Sequence, residues 1–348
     1  MMNESWEDIK AMEYENQVEL IITKKIILIF VAIFTILDNT MVLAATWRER
    51  SFHQPNKYFI ACLAVADLLV GMFVAPLELF QLNLDYKSRG IMFTYLCRFM
   101  MWIDTFALTA SISSLTFISF NRYLKIRKPL QYRSTMTTSK SLKMIFIIWF
   151  ISTAFATYSA TPCSGNEGIR LVDAYGLCPR IYQVYWRSKG FFTFLAVGVF
   201  FLPTVVILIM YSLIYVVVRK RRKMMRDGEQ GQTCIDRNQL NVFRQDLKAI
   251  RMLLIVVGVF VLCWGPYFIY TLYAFQNLFL IDWPSRRYTF IAEFVIHTLP
   301  YINSLCNPII YACFDQTYRQ AFKNLFRRMM RRTSSRVRRP PNEIELRP

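Results

Sequence analysis

"RFMMWIDTFALTA", residues 98–110, lies inside an apolar run from about 92 to 118 and holds one carboxylate, Asp104, with no basic residue next to it. A bilayer span needs about 20 mostly apolar residues, so this run is long enough to cross a membrane. Comparable runs recur at approximately 21–46, 58–81, 142–162, 190–218, 250–276 and 288–313, which makes seven. The chain has 348 residues and is 55% hydrophobic, against roughly 45–50% for an ordinary soluble domain. Seven buried helices of a soluble core would not need blocks so long and so uniformly apolar. The sequence therefore predicts an all-α fold, a seven-transmembrane helix bundle over residues 24–313 behind an N-terminal tail at 1–23.

Charge gives the orientation. The tail carries Glu4, Glu7, Asp8, Glu13, Glu15 and Glu19, whereas basic residues gather after spans one, three and five and after the last. Examples are Arg48 and Arg50, then Arg122, Lys125, Arg127 and Lys128, then "RKRRK" at 219–223 and "RRMMRR" at 327–332. Basic loops on alternate sides are the positive-inside pattern, which places the N-terminus outside the cell and the C-terminus in the cytoplasm. A net charge of +19 spread this way points to anionic membrane lipid as the partner, not to nucleic acid. The acidic start does not read as a cleavable leader, so span one is expected to serve as the insertion signal. Asn3 of "NES" fits a glycosylation sequon on the outer tail.

Three cysteines fall on the predicted outer side: Cys97, Cys163 and Cys178. An oxidising outer face permits one bridge. Cys97–Cys178 is the expected pair and Cys163 the alternative partner, since sequence alone does not fix the pairing. Beyond span seven, Phe314, Tyr318, Phe322, Leu325 and Phe326 recur at helical spacing among basic residues. That pattern predicts an amphipathic helix over 314–330, lying on the inner membrane surface, and a disordered cytosolic tail over 331–348.

Polar groups inside spans are costly and default to function. Asp67 in "LAVADLLVG" shares the spans with Asn39, Ser111, Asn303 and Asn307. One carboxylate among neutral oxygens suits a sodium ion or a water cluster; plain hydrogen bonding between helices is the equal alternative. Arg122 of "FNRYLKI" (120–126) closes span three, where it can snorkel or pair with Asp246 at the start of span six as a two-state element. Pro266 in "VLCWGPYFIY" (261–270) lacks a backbone donor, so span six is expected to hinge there beside Trp264, Tyr267 and Phe268. "NSLCNPIIYACF" (303–314) places Pro308 and Tyr311 in span seven, and Pro203 and Tyr211 echo them in span five. Asp104 is seven residues past Cys97, about 10 Å below the outer surface. No lysine occurs in spans three, six or seven as drawn, so a ligand can supply the cation that a desolvated carboxylate favours. The plainer alternative is a hydrogen bond to Tyr301.

Taken in order, Asn39, "LAVAD" at 63–67, Cys97, "NRY" at 121–123, Trp149, Pro203, "CWGP" at 263–266 and "NPIIY" at 307–311 resemble the markers of rhodopsin-like (class A) G-protein-coupled receptors. The resemblance covers about 24–330 and is closest to the biogenic-amine receptors. It implies that Asp104 salt-bridges a ligand ammonium, that Tyr301 hydrogen-bonds this aspartate, and that Trp264, Tyr267 and Phe268 form an aromatic floor with cation–π contacts. It further implies sodium near Asp67, rearrangement of Asn121, Arg122, Tyr123, Tyr211 and Tyr311 at the inner face, and a heterotrimeric G protein met there by Leu130 of "KPLQY". Thr333, Ser334 and Ser335 are candidate phosphorylation sites for a receptor kinase and then arrestin.

The departures shape the expectation. Leu195, Ala196 and Val199 stand where catecholamine receptors have serines, Thr298 replaces a common tryptophan, and Pro300 precedes Tyr301. Residues 287–313 contain no lysine to hold retinal. Asn121 replaces the acidic neighbour of the arginine, which implies raised basal signalling. A peptide ligand and, in a different class, a transporter remain the rival readings. Transporters also use broken helices, but no inverted repeat is visible. An enzyme is not expected, because His53 and His297 are the only histidines and neither sits in a catalytic or metal-ligand spacing.

Overall fold

A computed structural model describes the backbone of residues 2–48, 55–83, 91–128, 131–132, 136–161, 185–228, 235–276 and 286–337. Side chains are described within these stretches except at 2–17, 55–56, 91–94, 185–188, 225–228, 235–246, 274–276, 286–290 and 328–337. Among the described residues every regular element is a helix. Span one is Met2–Arg48, span three Ile91–Arg127, span four Thr138–Ala160, span six Ile235–Gln276 and span seven Arg286–Phe314. Spans two and five each contain a wider π-helical turn. Span two runs Pro55–Leu69, π-turn Val70–Val74, then Ala75–Gln81; span five runs Tyr185–Phe194, π-turn Leu195–Phe201, then Leu202–Gly228. A surface helix, Gln316–Val337, follows span seven.

Two helices run further than the sequence suggested. Span one starts at Met2, inside the segment drawn as a tail, and the surface helix continues through 331–337, where disorder was expected. Neither stretch contains a glycine or proline, so nothing local interrupts propagation once a helix is running.

The bundle closes on itself. Span three lies at its centre against two, four, five and six, while span one packs on two and seven, and seven on six. Gly71 lets spans one and two approach closely, because a Cβ there would meet the Thr35 Cγ2 at 3.0 Å. The molecule is apolar outside: Ile26, Phe30 and Ile33 of span one, Phe146 and Phe150 of span four and Leu208 of span five are exposed. Asn39, Asp67, Ser111, Asn303 and Asn307 are buried. Such inversion suits a hydrocarbon solvent, in which only internally satisfied backbones and inward-facing polar groups are stable.

Among the described residues, six helices are long and apolar enough to cross a membrane by length and composition. Span seven is not among those six, since Glu293, His297, Thr298, Asn303, Ser304 and Asn307 dilute its apolar residues. It is nonetheless packed into the ring between spans one and six. The fold is a seven-helix bundle, and the protein is a multi-pass membrane protein.

Candidate functional site

Prolines decide where backbone groups are released. Pro76 and Pro203 each lie two residues past the end of a π-turn. A proline ring clashes with the carbonyl four residues earlier and offers no N–H, and one extra residue per turn relieves both. In span seven Pro308 frees the carbonyl of Ser304, and Asn39 of span one occupies it, with Nδ2 donating to Ser304 O at 3.1 Å and to Thr35 O at 3.0 Å. Spans six and seven remain continuous helices through Pro266, Pro300 and Pro308.

A narrow cavity lies among spans two, three, six and seven. It is lined by Asp67 and Val70 of span two, by Asp104, Ala107, Leu108 and Ser111 of span three, and by Trp264, Pro300, Tyr301, Asn303 and Ser304 of spans six and seven. Its volume for water centres is about 20 Å³, enough for a small particle such as one water. Asp67 is 2% and Asp104 5% exposed. The two carboxylates expected to serve a sodium ion and a ligand therefore face one continuous space.

At the Asp67 end, Asn307 Nδ2 donates to Asp67 Oδ2 at 2.8 Å, and Ser304 lines the same space. Asn303 Oδ1 is buried with no hydrogen-bond partner among the described residues. A carboxylate beside an orphaned amide oxygen and the Ser111 hydroxyl is the all-oxygen donor set a hard monovalent cation accepts, so the residues fit sodium.

At the Asp104 end, Trp264 and Tyr301 line the cavity but Tyr267 and Phe268 do not. Phe268 lies behind Trp264, with ring centres 5.9 Å apart, and stacks on Phe200 of span five at 4.6 Å. Tyr267 meets the Trp264 ring edge-on at 6.1 Å. Both residues thus buttress the cavity wall, a role that spacing alone could not separate from direct lining. Leu195 and Ala196 are buried in the π-turn of span five and do not line this cavity.

At the other end of the bundle, Asn121, Arg122, Tyr211 and Tyr311 are all buried. Arg122 Nε and the Tyr311 hydroxyl have no hydrogen-bond partner among the described residues. Tyr123 accepts from Arg127 Nη1 at 2.8 Å. The side chains of Asp246 and Asn3, and residues Leu130 and Cys178, lie outside the described residues, as do the side chains of Thr333, Ser334 and Ser335. Cys97 is disulfide-bonded.

The order of these features across seven helices is that of one receptor family. The model of the 7 transmembrane receptor (rhodopsin family) matches residues 38–311. The chain belongs to this family. The receptor is 30% identical to the alpha-1A adrenergic receptor of Oryzias latipes over 336 residues, which covers 89% of this chain and 67% of that one. It is 31% identical to the human alpha-1A adrenergic receptor, covering 85% of this chain and 66% of that one. It is 28% identical to the 5-hydroxytryptamine receptor 7 of Xenopus laevis, covering 87% and 76%. The chain thus spans about two thirds of the length of the adrenergic relatives it matches. The family is one of receptors, not enzymes.

Sequence reasoning missed three groups in the receptor. Lys24 and Glu78 form an ion pair of 2.6 Å between spans one and two, with side chains 1% and 0% exposed. Lys57 of span two reaches Asp315, just past span seven, at 2.7 Å and lies 4.2 Å over the Tyr318 ring. The Tyr270 hydroxyl donates to Glu293 across spans six and seven. The available signal for the first was a lysine and a glutamate inside neighbouring apolar blocks.

Proposed function

We propose that the receptor binds an extracellular cationic ligand, a biogenic or trace amine, and activates a heterotrimeric G protein at the cytoplasmic face. The observation that carries this is the grouping of Asp104, Trp264 and Tyr301 around one cavity. A buried carboxylate favours a cation, and the Trp264 ring adds cation–π attraction. The adrenergic and 5-hydroxytryptamine relatives support an amine as the cation. Leu195 and Ala196 bring no hydroxyl from span five, which disfavours a catechol.

Ligand on Asp104 biases the Trp264–Phe268–Phe200 ring stack, which joins spans six and five beside Pro266 and Pro203. Span six then swings outward, and Arg122, Tyr211 and Tyr311 exchange their buried positions for contacts with the G protein, with Leu130 touching it from the second inner loop. The ligand shifts this equilibrium only by its difference in affinity for the two arrangements. Sodium, held by Asp67, Ser111, Asn303 and Asn307, would supply a counter-charge that favours the inactive arrangement. A Cys97–Cys178 bridge, a glycosylated Asn3, an external N-terminus at the plasma membrane, a lipid-bound surface helix, and arrestin recruitment after phosphorylation near Thr333 complete the proposal.

Asp104→Ala is expected to abolish amine-stimulated nucleotide exchange with surface expression intact. Retained potency at normal expression would remove the anchor role. Amine uptake without nucleotide exchange would favour a transporter.

A further inference from the structure

Odd-numbered spans run in one direction, so the N-terminal halves of spans three and seven lie at the same face as the C-terminal half of span six. From the Asp104 cavity two ladders climb toward that face. On span six Trp264, Tyr267 and Tyr270 repeat every three residues; on span seven Tyr301, His297 and Glu293 repeat every four. The ladders touch: His297 meets the Tyr267 ring at 5.5 Å and the Tyr270 ring at 5.9 Å, both edge-on, and Tyr270 donates to Glu293 at the top. Glu293 is half-buried, and that neutral phenol is its one hydrogen-bond partner among the described residues, with no described lysine or arginine pairing it. A glutamine would join Tyr270 equally well without placing a charge inside a span. The charge itself therefore needs an account.

Eight residues of helix separate Glu293 from Tyr301, about 12 Å along the axis. We propose that Glu293 is a second cation subsite and that the receptor takes an elongated dication. One ammonium sits on Asp104 beside Trp264, the other on Glu293 beside Tyr270, and the hydrocarbon between them follows the seam of spans six and seven that the Tyr267–His297 contact backs. The aromatic wall suits methylenes along its length and an ammonium at its end. This rests on the reading of Asp104 as an amine anchor.

The test uses cells expressing the full receptor, with G-protein activation as readout and octylamine, tetramethylenediamine and octamethylenediamine as probes. Octamethylenediamine is expected to be at least about tenfold more potent than either of the others, a tenfold change being about 1.4 kcal/mol. Glu293→Gln, which keeps an acceptor for Tyr270, is expected to bring octamethylenediamine to the potency of octylamine and to leave octylamine unchanged. Equal potency of the two eight-carbon amines on the unmodified receptor overturns the proposal. So does a Glu293→Gln loss that falls equally on both, which marks a structural role. Asp104→Asn is expected to weaken both amines, and if both keep their potency the anchor reading fails instead. No response to any amine overturns the two readings together.

Discussion

A proline in a membrane helix leaves a carbonyl without its donor, and in span seven that carbonyl has an identified partner. Asn39 fills the Ser304 group that Pro308 releases, so span one holds span seven at the point where it is weakest. Asn121 shows the opposite economy at the other end of the bundle from the Asp104 cavity. It is buried beside Arg122 but brings no negative charge to restrain the guanidinium. An aspartate there would favour the arrangement in which Arg122 stays inside. Asn121→Asp is expected to lower ligand-free second-messenger output about fivefold, the effect of a bias near 1 kcal/mol. Unchanged output at equal surface expression would show that this position does not set basal signalling.

The surface helix is held by a pairing that hydropathy does not reveal. Asp315 caps it, with Oδ1 accepting from Thr317 N at 2.9 Å, and the same carboxylate pairs with Lys57 of span two. Tyr318 packs beneath, its ring stacked on Tyr311 at 5.5 Å. Burial alone would raise the Asp315 carboxyl, but Lys57 and the Thr317 donors outweigh it and hold it below its ordinary 3.8. A lowered folded-state value means stability that is present above the unfolded value and lost as pH falls through the folded one. The clamp is therefore complete at neutral pH and weakens only below about 3.8. Asp315→Asn keeps a good cap and removes only the charge. It is expected to destabilise docking by about 1–3 kcal/mol, read as faster amide exchange over 316–326 with span seven unaffected. Exchange at the unmodified rate would assign the hold to Tyr318 packing instead.

For the whole molecule, what the sequence revealed follows from what a membrane demands. Apolar runs, alternate basic loops and inward polar residues are local in the chain, so the seven spans and both ends of the Asp67–Asp104 cavity were legible. The π-turns were not, because an i→i+5 turn has no composition of its own and only the following proline hints at it. The buttressing role of Tyr267 and Phe268 depends on rotation about span six, which spacing leaves open. Lys24 and Glu78 were missed because each lies near the end of its own apolar block, where a charge normally reaches water, and 54 residues separate them. Folding brings them together with almost no exposure, which turns two ordinary boundary residues into a mutual requirement of spans one and two. Removing one partner of such a pair strands a charge and costs about 3–5 kcal/mol, whereas replacing both by apolar groups is often neutral. Lys24→Met and Glu78→Leu singly are expected to lower thermal stability and surface expression sharply. The double substitution is expected to recover most of both, and to leave the potency of an amine acting at Asp104 unchanged. Additive losses in the double variant would show that the two charges act separately, each through other partners.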